Sequence, residues 1–165
     1  MTESPRSLAV DRAGFDCVTD SDALQADRLC QELLLRFYDA VTAGGAEPLE
    51  ATEWARGADY FLRDFLIDIK GCNLFAEEPG MIRRFAGNWY IITNLDPDFD
   101  LLCRHLEGIR RFYRFLLEHG EISPACYAQV EKECGDLEYF RQRIDDFWAL
   151  NGDGYTAWDR ACPFR

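Results

Sequence analysis

The stretch DPDFDLLCRHLEGIRRFYRFLLEHG, residues 96–120, carries the strongest structural signal in the chain. Leu101, Leu102, His105, Leu106, Ile109, Phe112, Tyr113 and Leu116 recur at the three- and four-residue spacing that puts side chains on one face of an α-helix. Asp96-Pro97 opens the run and Gly120 closes it, as helix boundaries require. Arg104, Arg110, Arg111 and Arg114 fall on the opposite side, within an arc of roughly 120°.

The same periodicity appears on either side of this helix. Leu24, Cys30, Leu33, Leu34, Phe37, Tyr38 and Val41 predict a first helix from Asp20 or Ser21 to Gly44-Gly45. Thr52 is the expected cap of a second, with Trp54, Ala58, Phe61, Leu62, Phe65 and Ile69 as its apolar stripe and Gly71 as its stop. A third is expected from Pro79, with Met81, Ile82, Phe85, Trp89 and Ile92 inward. Ser123-Pro124 caps a fifth that carries Tyr127, Val130 and Cys134. Gly135-Asp136 breaks the pattern before a sixth, marked by Leu137, Phe140, Ile144, Phe147 and Trp148.

No alternating run suggests a strand, and there is no internal repeat. The expectation is an all-α protein, a compact bundle of five to six helices. Residues 1–20 read as an N-terminal tail or loose strap that docks through Leu8, Val10, Phe15 and Val18. Residues 21–150 read as one helical domain and 151–165 as a C-terminal tail packed on it.

Composition narrows the function classes. The chain has 165 residues, 48% of them hydrophobic and a formal net charge of −12, which opposes non-specific binding to nucleic acid or anionic lipid. Residues 1–51 carry 10 acids and 4 bases, whereas residues 52–124 carry 12 and 9, so the middle is nearer neutrality. No apolar run is long enough to span a membrane, and the N-terminal residues do not read as an export signal. A cytoplasmic location without membrane attachment is expected. The seven cysteines, Cys17, Cys30, Cys72, Cys103, Cys126, Cys134 and Cys162, form no C-x-x-C pair, so reduced thiols are expected. A zinc site from Cys126, Cys134, Cys162 and a histidine is the open alternative.

No phosphate loop, dinucleotide fingerprint, H-E-x-x-H or G-x-S-x-G is present, so no catalytic residue and no cofactor are predicted. Asp64 and Asp68 share a helix side but lack the Glu-x-x-His partners of a di-metal bundle, and are expected to face solvent. His105 is expected in the core and His119 at a helix C-terminus. Asp100 and Glu107 stand four residues before Arg104 and Arg111, which predicts intrahelical ion pairs on the arginine face. That face is nevertheless the candidate surface for a partner protein or for nucleic acid.

Three segments, ADYFLRDFLIDI (58–69), Ile82-Arg83-Arg84-Phe85 and IRRFYRFLLEHGEIS (109–123), make residues 52–124 resemble the SAM-like core-binding domain of phage integrases and other tyrosine recombinases. The resemblance implies a small helical bundle that elsewhere precedes a catalytic domain and clamps DNA. Only about 40 residues follow the match, with no H-x-x-R and no tyrosine-nucleophile motif, and the matching region is net acidic. The expectation is therefore a non-catalytic interaction module that binds a protein. The alternative is a DNA-associated accessory protein acting through Arg104, Arg110, Arg111 and Arg114.

Overall fold

Two helices can approach closely only where side chains are missing between them, and Gly57 and Gly108 provide that absence. A Cβ at Gly57 would stand 2.7 Å from the Cα and 2.8 Å from the carbonyl oxygen of His105. A Cβ at Gly108 would collide with the carbonyl oxygen of Trp54 and stand 3.0 Å from its Cα. The two helices are α2 (Pro48–Asp59, continuing as a π-helical segment, Tyr60–Ile69) and α4 (Phe99–Glu118). Their pairing is the most extensive in the molecule.

The computed structural model describes residues 7–162, so residues 1–6 and 163–165 of the two expected tails lie outside the described residues. Among the described residues the chain is all-helical, and its helices form a compact bundle. Besides α2 and α4 these are α1 (Asp20–Ala43) and α3 (Met81–Arg84, then a π-helical turn Phe85–Trp89, then Tyr90–Thr93). They are followed by α5 (Pro124–Cys134), α6 (Leu137–Trp148) and α7 (Gly154–Arg160). The helix α7, inside the expected C-terminal tail, takes the number past six.

Local chemistry explains the boundaries. Thr19, rather than Asp20 or Ser21, caps α1 through a reciprocal box with Asp22, at 3.1 and 2.9 Å. The helix α2 begins at Pro48, four residues before the expected Thr52, because proline suits the first helical turn. The Thr52 hydroxyl instead donates back to the Pro48 carbonyl at 2.8 Å. Asp98 caps α4, accepting from the Leu101 amide at 2.6 Å, and Ser123 caps α5.

The π-helical stretch of α2 overturns part of its expected stripe. A π-helix closes i→i+5 bonds and turns more slowly, so the inward phase drifts. Leu66 and Ile67 are buried, and Ile69 is exposed. Leu24, Ile92 and Leu137 also face out, and Trp148, expected inside, is 56% exposed. Where the two π segments meet, Tyr60, Phe61 and Phe65 pack against Phe85 and Trp89 with ring centroids 5.2–5.6 Å apart.

Buried carboxylates fasten the loops. Glu133 of α5 accepts from the amides of Gly80 (2.6 Å) and Arg83 (3.0 Å), supplying the α3 N-terminus with the cap its own sequence lacks. Glu121 accepts from Ser7 Oγ at 3.1 Å and the Leu8 amide at 3.0 Å, and so holds the N-terminal strap. Of that strap's expected anchors, Phe15 is buried, Leu8 and Val10 are half-buried, and Val18 is exposed.

Gly108→Ala should lower unfolding free energy by about 3 kcal/mol, because backbone must move to admit the methyl group. Urea denaturation at pH 7 measures it, and a loss under 0.5 kcal/mol contradicts the close crossing.

Candidate functional site

The arginine face of α4 is built as the periodicity predicts, with Arg104 and Arg114 exposed and Arg110 and Arg111 half-exposed. What the structure adds is the occupancy of their donors. Glu107 accepts from Arg110 Nε and Nη2 at 3.0 and 2.8 Å and from Arg111 Nε at 2.6 Å. Arg110 also reaches Glu131 of α5 at 3.8 Å. Arg114 pairs with Glu118 at 3.2 Å. The Arg111 guanidinium lies 3.7 Å above the Trp54 ring.

Although burial works against it, Glu107 is held below the usual carboxylate range by its bonds to Arg110 and Arg111. The Glu107–Arg111 pair forms as expected, whereas Asp100 and Arg104 make no ion pair among the described residues. Three of the four arginines thus spend their charge on neighbouring glutamates, and Arg104 alone presents an unpaired guanidinium on this face.

A second feature was not singled out from the sequence. Along the α1–α2 seam runs an open groove of about 480 Å³, with Leu34, Leu35 and Tyr38 on one wall and Ala55, Arg56 and Arg63 on the other. Leu35 is 61% exposed there. Asp27 and Asp59 pin Arg63 at 2.8 and 3.0 Å, while Arg56 is exposed and makes no ion pair among the described residues. A sequence signal existed: Leu33, Leu34 and Leu35 are consecutive, and a helix cannot turn three successive side chains toward one core.

The remaining candidates separate. Asp64 and Asp68 are exposed on α2. His119 is the C-cap of α4, its Nδ1 2.8 Å from the Phe115 carbonyl. Among the described residues, no group of three or more His, Cys, Asp or Glu side chains is placed to hold a metal ion, so Cys126, Cys134 and Cys162 do not assemble with a histidine. The described cysteines are all free thiols. Burial raises the thiols of Cys30 and Cys134 well above their ordinary range and that of Cys126 to about 11, which disfavours thiolate at neutral pH. No helix among the described residues is long and apolar enough to cross a membrane.

His105 is 8% exposed, between the rings of Tyr60 at 5.3 Å and Tyr90 at 5.9 Å. Burial first, then the nearby Arg104 and Arg56, lowers its pKa to about 4. Its ring is therefore neutral at pH 7. Comparison of the chain with protein-family models, with curated proteins and with solved structures finds no match.

A histidine titrating near 6.5 unfolded and about 4 folded binds more protons unfolded between those values. Its contribution to stability is complete above pH 6.5 and is lost as pH falls toward 4, by about 3 kcal/mol. Denaturant titrations of wild type and His105→Phe at pH 7 and pH 4 isolate this component. The variant should lose about that much less stability on acidification, and equal losses in both proteins contradict a neutral, buried His105.

Proposed function

We propose that the chain is a non-catalytic helical module that binds another protein through the α1–α2 groove. The observation that carries this reading is Leu35, a large apolar side chain 61% exposed on the wall of a groove. An exposed leucine by itself is ordinary, but a leucine beside Tyr38 and Ala55 in a shallow, open groove offers an apolar strip along which an amphipathic helix can lie. The partner's apolar anchor sits between Leu35 and Ala55. Arg56, which has no ion pair among the described residues, supplies the polar contact at the groove's edge.

The second reading is a DNA-associated accessory protein, related to the core-binding domain of tyrosine recombinases, that uses Arg104, Arg110, Arg111 and Arg114. The spacing of those residues on one helix favours it. The pairing of Arg110, Arg111 and Arg114 with Glu107, Glu118 and Glu131 and the net charge of −12 weigh against it, since a phosphate contact by any of those three must first displace a carboxylate. We place the protein in the cytoplasm, free of membranes, on its acidic balance and reduced thiols.

Affinity capture from the source organism tests the first reading. Wild type should recover a stoichiometric protein partner and Leu35→Glu should recover none, with melting temperatures within about 2 °C of each other because the side chain is largely solvated. Equal recovery by both, or no partner, rejects the groove. A mobility-shift titration with duplex DNA at about 50 mM salt tests the second. No retardation is expected, and retardation abolished by Arg104→Ala with Arg114→Ala establishes the DNA reading instead.

A further inference from the structure

The N-terminal strap and the loop after α2 run past each other in opposite directions. The Phe15 ring meets the Phe75 ring edge-on, with centroids 5.1 Å apart. Asp16 Oδ1 accepts from Asn73 Nδ2 at 2.8 Å, and the same amide group donates to the Arg12 carbonyl at 2.9 Å. The Cys17 carbonyl oxygen lies 3.8 Å from where a Cβ on Gly71 would stand. As the strap advances from 15 to 17, its partners therefore descend from 75 to 71. Cys72 falls between the partner of Asp16 and the partner of Cys17, so Cys17 and Cys72 are facing residues.

Both thiols are free and half-buried, within reach of solvent. Each makes only weak sulfur contacts, Cys17 Sγ with the Phe15 carbonyl at 3.4 Å and Cys72 Sγ with the Lys70 carbonyl and the Glu78 carboxylate, both at 3.6 Å. Burial first, then Asp16 and Asp22, raises the Cys17 thiol. Burial first, then Glu78, raises the Cys72 thiol against the opposing Lys70, and Cys17 adds to that rise as a near neighbour. Both thiols are therefore protonated at neutral pH and neither is a fast nucleophile. Their position supplies proximity instead, which makes the second of two exchange steps intramolecular. Cys30, Cys134 and Cys162 are buried and lack that access to an oxidant in solution.

We propose that Cys17 and Cys72 form an oxidative cross-linking site whose disulfide locks the N-terminal strap onto the loop after α2, with a small disulfide, oxidised glutathione, as the oxidant. One protein thiolate attacks a sulfur of the oxidant and expels a glutathione thiolate, leaving a mixed disulfide. The second protein thiolate attacks the protein sulfur of that bond and expels the other glutathione. Two protein thiols lose two electrons and two protons, and one glutathione disulfide becomes two thiols. In the reduced protein the strap is held by Glu121, by Arg36, by Asn73 and by the buried Phe15. The new bond closes a loop of more than fifty residues, which constrains the unfolded chain and stabilises the fold. A disulfide requires Cα atoms within about 7 Å, so its formation in the native protein reads out the facing of the two segments.

The full chain is equilibrated with oxidised and reduced glutathione at pH 8, where thiolate is more abundant, then alkylated and digested without reduction. A peptide pair joining Cys17 to Cys72 should form, with helical circular dichroism unchanged. The melting temperature should rise by about 5 °C, and amide exchange across residues 12–18 should slow about tenfold. Dithiothreitol should reverse all three changes. Cys17→Ser and Cys72→Ser should each abolish them, and Cys103→Ser should leave them intact. Should Cys72→Ser fail to fold, Cys17→Ser on the surface strap carries the test alone. Thiols that stay free, a mixed disulfide that goes no further, or a bond from Cys72 to Cys126, which lines the same small cavity, overturns the proposal. So does a Cys17–Cys72 bond that forms only in denaturant or that fails to raise the melting temperature.

Discussion

The close crossing of α2 and α4 at Gly57 and Gly108 is the constraint from which the remaining packing follows. With no side chain between them, the backbones of Trp54 and Gly108, and of Gly57 and His105, stand at van der Waals distance. At that separation carbonyl and Cα–H groups of facing helices lie within reach of weak hydrogen bonds. It also displaces bulk to either side of the contact. The aromatic rings of Tyr60, Phe61 and Phe65 collect on the α3 side, against Phe85 and Trp89. The Trp54 ring lies on the outer side, under Arg111. Both π-helical segments belong to the α2–α3 half of the bundle, where two helices must fit five aromatic rings against one another. A wider turn costs hydrogen-bond geometry, and ring packing offsets that cost.

Charge follows a second rule along α4 and around Arg63, where arginines are neutralised at short range by the protein's own carboxylates. Glu107 serves Arg110 and Arg111, Glu118 serves Arg114, and Asp27 and Asp59 serve Arg63. Such pairs add little stability at the surface, about 0–1 kcal/mol each, but they decide what the surface offers a partner. A basic stripe whose donors are occupied projects little field, and a chain with 30 acids against 18 bases projects a negative one. Arg28, Arg36, Arg56, Arg104, Arg141, Arg143 and Arg160 make no ion pair among the described residues, and of these Arg104 lies on the α4 face.

The polar interior is sparse and serves the chain's least regular parts. Glu121 holds the N-terminal strap, and Glu133 supplies the N-terminus of α3. The pair of bonds between Arg143 and Trp158, one in each direction, docks α7 on α6. Each is a side chain from one element meeting backbone groups of another. A segment too short to bury a stripe of its own gains its place from a neighbour's polar group.

Periodicity alone determined the all-helical class, the inward face of α4, the Ser123-Pro124 start of α5 and the break at Gly135-Asp136, because these depend on residues within one or two turns of each other. The buried position of His105 and the exposed positions of Asp64 and Asp68 were legible for the same reason. Tertiary structure alone decided which arginines keep a free charge, since Glu131 reaches Arg110 from another helix. It decided that Leu35 would lie open on a groove and Trp148 on the surface, because a one-dimensional stripe does not say where the neighbouring helix stops. It also set the Arg83 guanidinium over the Tyr139 ring and Arg143 against the Gly87 carbonyl, each across more than fifty residues. Arg143 occupies the inward arc of α6 between Phe140 and Ile144, a position where helical spacing predicts an apolar side chain and does not reveal what a buried guanidinium will face.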